Sequence, residues 1–343
     1  MRVSGMHPLK IIAFLLAATG AIGQTEKGLL ERARGSFQPL AAVLQSPANP
    51  VTPEKVALGK ALFYERRISS DGLVSCWRCH PLSLYGADGL KTAVGNSCRV
   101  NPRNSPTIFN AAGQISQHWV GNRRDVEDQA AQSVTGAGSF NMPSSQAVEK
   151  TLEAIPGYAG LFRKAFPGET RPVTIANFAK AIGAFERTLV TPSPFDAFLK
   201  GDQSALGESE KRGLTAFLDA GCAGCHGGAL VGGASYQKFG VAEPYWKYTK
   251  SAPVDTGRFD VTKLEPDKYV FKVPPLRNVD RTPPYFQDGS VGRLDDAVWI
   301  MGKVQLGKDL ELRTVRDIRA FLRSLTGRLP EDALRVPVLP ASE

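Results

Sequence analysis

Cys76-Trp77-Arg78-Cys79-His80 and Cys222-Ala223-Gly224-Cys225-His226 repeat one pentad, Cys-x-x-Cys-His, in a chain of 343 residues. Two thiols at this spacing can add to the two vinyl groups of one porphyrin, and the residue that follows then offers its imidazole to the iron. The pattern predicts two covalently attached c-type haems, bound through Cys76 and Cys79 and through Cys222 and Cys225, with His80 and His226 as proximal ligands. Zinc also uses Cys-x-x-Cys, but it takes Cys and His in sets of four, and this chain has five Cys and four His in all.

The N terminus carries Arg2 and Lys10, an apolar run from Ile11 to Ile22 broken only by Thr19 and Gly20, and Ala21-Ile22-Gly23 before Gln24. This is the grammar of a cleaved secretory signal over 1–23, and the run is too short to span a bilayer. It predicts a periplasmic protein without a membrane span. Met1, Met6 and His7 leave with the signal. The sixth positions on the two irons are then drawn from Met142, Met301, His118, the odd cysteine Cys98, or nothing. Cys98 has no disulfide partner, because the other four cysteines hold haems, and it stands as a tolerated thiol, a reactive one or an iron ligand.

The formal net charge is +9. No stretch interleaves clustered Lys and Arg with aromatics as a nucleic-acid surface would, so the charge reads as solubility and as a steering field for a small acidic redox partner.

The elements that must position these residues are mostly helices. Helical periodicity covers Ala147 to Ile155, Val173 to Leu189, Asp295 to Leu306 and Thr314 to Leu325, and strand signals are sparse. The expected fold is mainly α: two cytochrome c-like haem domains with long loops. Thr191-Pro192-Ser193-Pro194 breaks the helical pattern and sets the expected domains at 24–190 and 191–343. Each pentad follows a short amphipathic helix carrying Gly then Phe four residues on, Gly59 and Phe63 in one and Gly213 and Phe217 in the other. This weak internal repeat suggests close packing at the glycine and a core-facing aromatic, with an extra loop from Tyr64 to Ser75 in the first copy.

From Leu58 to Leu329 the chain resembles the bacterial dihaem cytochrome c peroxidases, a group that includes the MauG-type enzymes. The matching pieces include Leu58-Gly59-Lys60, Pro102-Arg103-Asn104, Trp119, Gln129, Gly257-Arg258-Phe259-Asp260, Phe271-Lys272-Val273-Pro274 with Leu276-Arg277-Asn278, Asp288-Gly289-Ser290 and Gln305-Leu306-Gly307. The resemblance implies an N-terminal haem that reduces hydrogen peroxide and a C-terminal haem that receives electrons from a small cytochrome c or cupredoxin. It assigns Met301 as the sixth ligand of the second haem, Trp119 as the electron bridge between haems, and Gln129 to the distal side of the first. It also implies an interdomain Ca2+ on Asn104, Thr282 and Pro284, the latter two through carbonyls, and a homodimer.

Several positions depart from that pattern. Asn96 stands where the family has a distal His, and Asn141 where it has the catalytic Glu. Val120 and Asn122 replace the Asp and Arg after the tryptophan, and Gln287 replaces a His. An amide cannot titrate at working pH, so Asn141 cannot move the proton that peroxide cleavage requires; Glu127, Asp128 and Glu149 are the carboxyls near enough in sequence to substitute. The expected activity is peroxidase-type oxidoreduction. The alternatives are a MauG-like oxidase acting on a protein or small organic substrate, for which a Tyr rather than Met301 would be expected, and a non-enzymatic electron carrier or gas-ligand sensor.

Overall fold

The two glycines that precede the pentads sit where helices touch. The computed structural model describes residues 28–341; the signal expected over 1–23 lies outside them. In the first half, α1 covers 28–36, followed by α2 (Pro53–Phe63), α3 (Cys76–Cys79), α4 (Val126–Ser133), α5 (Ser145–Glu153), α6 (Pro156–Ala165) and α7 (Ile175–Glu186). The second half carries α8 (Pro194–Leu199), α9 (Glu208–Ala220), α10 (Trp246–Thr249), α11 (Phe259–Thr262), α12 (Leu294–Leu306), α13 (Leu312–Ser324) and α14 (Glu331–Leu334). Among the described residues the one sheet is a two-stranded antiparallel ribbon, β1 (Tyr236–Lys238) against β2 (Val270–Lys272), with Gln237 opposite Phe271. The mainly α class with long loops is thus observed. The four helices expected from periodicity are α5, α7, α12 and α13, the largest discrepancy being the end of α7, at Glu186 rather than Leu189.

Local chemistry sets the helix ends. Thr52 caps α2 by accepting from the Lys55 amide at 3.3 Å, with Pro53 at the first helical position, where its fixed φ costs nothing. Thr174 caps α7 in the same way through the Asn177 amide at 3.2 Å. Gly221 ends α9 at φ 93°, a left-handed conformation open to glycine, and delivers Cys222 directly from the helix.

A Cβ on Gly59 of α2 would stand 1.9 Å from the Ala181 carbonyl oxygen and 3.0 Å from Phe185 Cβ of α7. On Gly213 of α9 it would stand 1.8 Å from the Asp317 carbonyl oxygen and 2.9 Å from Phe321 Cβ of α13. Each glycine therefore meets a carbonyl and then a Phe one turn further along the partner helix. The aromatics repeat as well: Phe63 and Phe185 pack at 5.5 Å between ring centroids, Phe217 and Phe321 at 5.2 Å. The weak sequence repeat is a repeated helix pair in space.

The hydrophobic cores do not follow chain order. The first is built around Leu62, Phe63, Phe178 and Phe185, and also buries Ala333 of α14, with Leu329 and Leu339 packed on it. The second is built around Phe195, Phe217 and Phe321, and takes Leu30, Ala33 and Phe37 from α1 and its end. At the break between halves, Ser193 donates to the Asp196 carboxylate from both its amide, at 2.7 Å, and its hydroxyl, at 3.0 Å, which starts α8.

Candidate dihaem active site

Both pentads form the same tight turn: the His80 amide donates to the Cys76 carbonyl at 3.0 Å and the His226 amide to the Cys222 carbonyl at 2.9 Å. Cys76, Cys79, Cys222 and Cys225 are all free thiols of intermediate burial. His80 Nδ1 lies 3.1 Å from the Gly86 carbonyl oxygen; since a carbonyl only accepts, Nδ1 carries the proton and Nε2 is left as the ligand atom. Burial lowers the His80 imidazole's pKa, against the Gly86 carbonyl, Asp88 and the Pro106 carbonyl. His226 is pushed down to about 4, again by burial above all. Its Nδ1 makes no hydrogen bond, although the Val231 and Pro274 carbonyls lie close enough to act on it. Both rings are therefore neutral at working pH, the form that binds iron.

His226 and Met301 line one cavity of about 240 Å³, whose walls include Phe239, Phe271 and Tyr285. A neutral imidazole and a thioether on the walls of an apolar cavity, with Cys222 and Cys225 at its edge, are a donor set that fits a covalently bound haem. Asn104, Thr282 and Pro284 line the same cavity. Asn104 donates its amide nitrogen to the Leu90 carbonyl at 2.8 Å, which leaves Oδ1 as the end suited to a hard cation.

Trp119 also lines this cavity, on a loop closed by the Gln117 amide donating to the Arg123 carbonyl at 2.8 Å. Its indole donates to the Asn104 carbonyl at 3.0 Å, and its own carbonyl accepts from the Lys272 amide at 2.8 Å. The altered residues beside it are absorbed by the structure: Val120 is buried, and Asn122 Oδ1 lies 2.9 Å from His118 Nδ1. His118 is pushed down to about 4, chiefly by burial. Gln287 is buried with its Nε2 unpartnered, and its carbonyl accepts from the Asn104 amide at 2.8 Å.

The two positions read as altered on the first haem's distal side come together. Asn96 is buried; its amide donates to the Ser139 carbonyl at 3.1 Å and its side chain to the Phe140 carbonyl at 3.3 Å, the residue before Asn141. Asn101 donates to Gly138 at 2.7 Å and Arg99 to Ala137 at 3.2 Å, so the Asn96 loop is fastened along its length to the 136–141 turn. Asn141 reaches Ser70 Oγ at 3.4 Å. Ser97 and Cys98 both take left-handed backbone, φ 51° and 57°, and Cys98 is exposed. Met142 packs against the first core. Gln129 lies half-buried on α4, next to core residue Ala130.

None of the three replacement carboxyls is uncommitted. Glu127 forms a pair with Arg187, at 3.1 and 2.9 Å, and accepts from Asn49. Asp128 accepts from the Arg124 amide at 2.9 Å, and Glu149 from the Ile175 amide at 2.8 Å. A carboxyl that sequence reasoning passed over is Glu186, which is buried near Cys76 and raised to about 8 by burial, then by Glu127, against Arg187. The available signal was a carboxylate directly after the apolar run Ala181 to Phe185 that ends α7.

Two haem-attachment turns, one followed through a tryptophan loop by a His/Met cavity, define a class, and comparison with known proteins agrees. The family model for di-haem cytochrome c peroxidases matches residues 53–204. The chain is 44% identical to the cytochrome c551 peroxidase of Pseudomonas aeruginosa, over 100% of this chain and 97% of that protein. It is 35% identical to the methylamine utilization protein MauG of Methylorubrum extorquens, over 94% and 92% respectively. The chain belongs to the di-haem cytochrome c peroxidase family and is an oxidoreductase of the cytochrome c peroxidase type. Its fold is similar to the crystal structure of a MauG-like protein associated with microbial copper homeostasis, with a TM-score of 0.77 and 26% identity over 87% of this chain and 97% of that one.

Proposed function

We propose that the protein is a periplasmic peroxidase that takes electrons from a small cytochrome c or cupredoxin at the second haem and delivers them through Trp119 to hydrogen peroxide at the first. The observation that carries this reading is that His226, Met301 and Trp119 share the walls of one apolar cavity. Bound haem supplies iron that exchanges single electrons and, where its sixth position is open, binds peroxide. The chain's residues do the rest. His226 and Met301 hold the receiving haem in residues 191–343, and a thioether there favours the reduced state and so electron uptake. Trp119, on the wall of that same cavity, would be the bridge between the haems. His80, oriented by the Gly86 carbonyl, holds the haem of residues 24–190.

Reduction of peroxide to two waters consumes two electrons and two protons. Gln129 can donate a hydrogen bond but no proton, and Asn141 cannot titrate, so proton delivery at the first haem rests on solvent or on a group further away. An interdomain Ca2+ at Asn104, Thr282 and Pro284 would brace the tryptophan loop from outside. The homodimer rests on the family resemblance alone.

Met301, where a MauG-type enzyme would carry Tyr, favours a peroxidase over a MauG-like oxidase. Stopped-flow mixing of the reduced protein with peroxide tests the proposal. Re-oxidation faster than that of a free open haem supports it; re-oxidation no faster would leave an electron carrier or gas-ligand sensor.

A further inference from the structure

Among the described residues, the buried cations have carboxylate partners, with one exception. Arg277 faces Asp196 at 2.7 Å and Arg187 faces Glu127 at 2.9 Å. Lys272, at the end of β2, is 5% exposed and pairs with no Asp or Glu among the described residues. Its Nζ donates to Gln114 Oε1 and, at 2.7 Å, to the Ser116 carbonyl, both neutral acceptors on the loop that leads to Trp119. An ammonium has three donors, and one is left over. Lys272 lines the His226/Met301 cavity, and so does Gln287, whose Nε2 is buried without a partner.

Burying an unpaired ammonium is strongly unfavourable. Here no carboxylate offsets that cost: burial pushes the Lys272 ammonium down to about 7, with no acidic neighbour acting against it. The missing anion must come from something that enters the cavity. A c-type haem uses its vinyl groups for attachment and keeps two propionates, which are carboxylates at neutral pH.

We propose that Lys272 is the internal counter-cation of the second haem, pairing with one of its propionates from the cavity wall and thereby raising that haem's potential. The inference rests on the reading of the cavity as the site of the second haem. It places a fixed positive charge on the residue whose backbone amide donates to the Trp119 carbonyl at 2.8 Å, with the ammonium held by the loop that leads to Trp119. A charge so placed favours the electron that arrives at this haem over the one that leaves it.

The test is spectroelectrochemical titration of the holoprotein and of K272M, K272Q and K272R, each first weighed by mass spectrometry to count attached haems. At a poise where the second haem of the unaltered protein is half reduced, K272M and K272Q should show a reduced-to-oxidised ratio about tenfold lower. K272R, which keeps the charge, should stay within about twofold. An unchanged second haem in K272M and K272Q with both haems attached overturns the proposal, as does a shift confined to the first haem. If the charge-removing variants fail to attach the second haem while K272R attaches it, the charge is needed for uptake and the proposal stands. If K272R fails with them, packing is responsible and the proposal falls. An unaltered protein carrying fewer than two haems would instead refute the reading of the cavity.

Discussion

The indole Nε1 of Trp119 donates to the backbone carbonyl of Asn104 at 3.0 Å. Two residues further on, the Pro106 carbonyl acts on His80, while Trp119 itself lines the cavity of His226 and Met301. A short stretch of backbone, Asn104 to Pro106, therefore touches both the bridge and the first proximal ligand. Under the proposed function, an electron leaving the second haem would pass through the indole and its hydrogen bond into this backbone and on to His80.

Trp119→Phe removes that hydrogen bond and keeps most of the apolar volume. The stability cost should be about 1 kcal/mol, with both haems attached and their spectra unchanged. Electron transfer from the second haem to the first should slow markedly, as followed by the reduction of the first haem after a rapid pulse of donor. An unchanged rate would remove Trp119 from the route.

Calcium withdrawal should act on the same contact from the other side. Asn104 supplies the expected cation ligand through its side chain and the Trp119 acceptor through its carbonyl. Chelation is expected to slow transfer between the haems, with recovery on adding Ca2+ and none on adding Mg2+, which demands a tighter octahedral shell. A rate insensitive to chelator would mean that no ion braces this segment.

Asn141→Glu restores a titratable group at the position where the family resemblance sets the catalytic carboxyl of the first haem. The backbone there has φ 55°, so a Glu costs about 1 kcal/mol of strain that Asn largely escapes. Peroxide turnover should rise by roughly 10² or more, and its pH profile should gain a limb from the new carboxyl. Unaltered turnover would place position 141 outside the reacting pocket.

Gly59→Ala and Gly213→Ala test the repeated helix pair. In each, the new methyl would overlap a backbone carbonyl oxygen, at 1.9 and 1.8 Å, and neither helix can yield without moving its core Phe. Each change should cost about 3 kcal/mol or prevent folding. A loss below about 0.5 kcal/mol by chemical denaturation, the range of ordinary surface changes, would contradict the packing described.

The Asp196–Arg277 pair governs part of the acid stability. Burial raises the pKa of the Asp196 carboxyl, but the Arg277 guanidinium, with the Leu40 and Ser193 amides, holds it below its usual value on balance. A carboxyl depressed in the folded state contributes stability above its unfolded pKa of ~3.9, and that contribution is lost as the pH falls through the folded value. Asp196→Asn should lower stability at neutral pH by about 3–5 kcal/mol, because it leaves Arg277 buried and unpaired, and should flatten the acid limb of a denaturation-midpoint series. An acid limb identical to that of the unaltered protein would assign it elsewhere.

The haem-attachment turns, the four long helices and the Gly–Phe repeat were legible because each is encoded within a few residues of itself. Met301 and the tryptophan loop required the family resemblance, since nothing in a lone Met or Trp says what it will face. Asn96 shows what stayed hidden: it reads as a missing ligand, yet its side chain fastens one loop to another through the Phe140 carbonyl, a contact concealed by a separation of 44 positions along the chain. Lys272 hid for a related reason. On a strand it reads as an ordinary alternating polar residue, and only the three-dimensional cavity reveals that it is buried without an acid.

α1 fills the second core, and the stretch around Leu329 to Leu339 seals the first, so each end of the described chain plugs the half that contains the other end. Severing the chain at 190 would not release two one-haem proteins. Each fragment would lose the plug of its own core and carry one cut for its sibling. Neither half of the described chain is complete until α1 and the stretch around Leu329 to Leu339 have each crossed to the other.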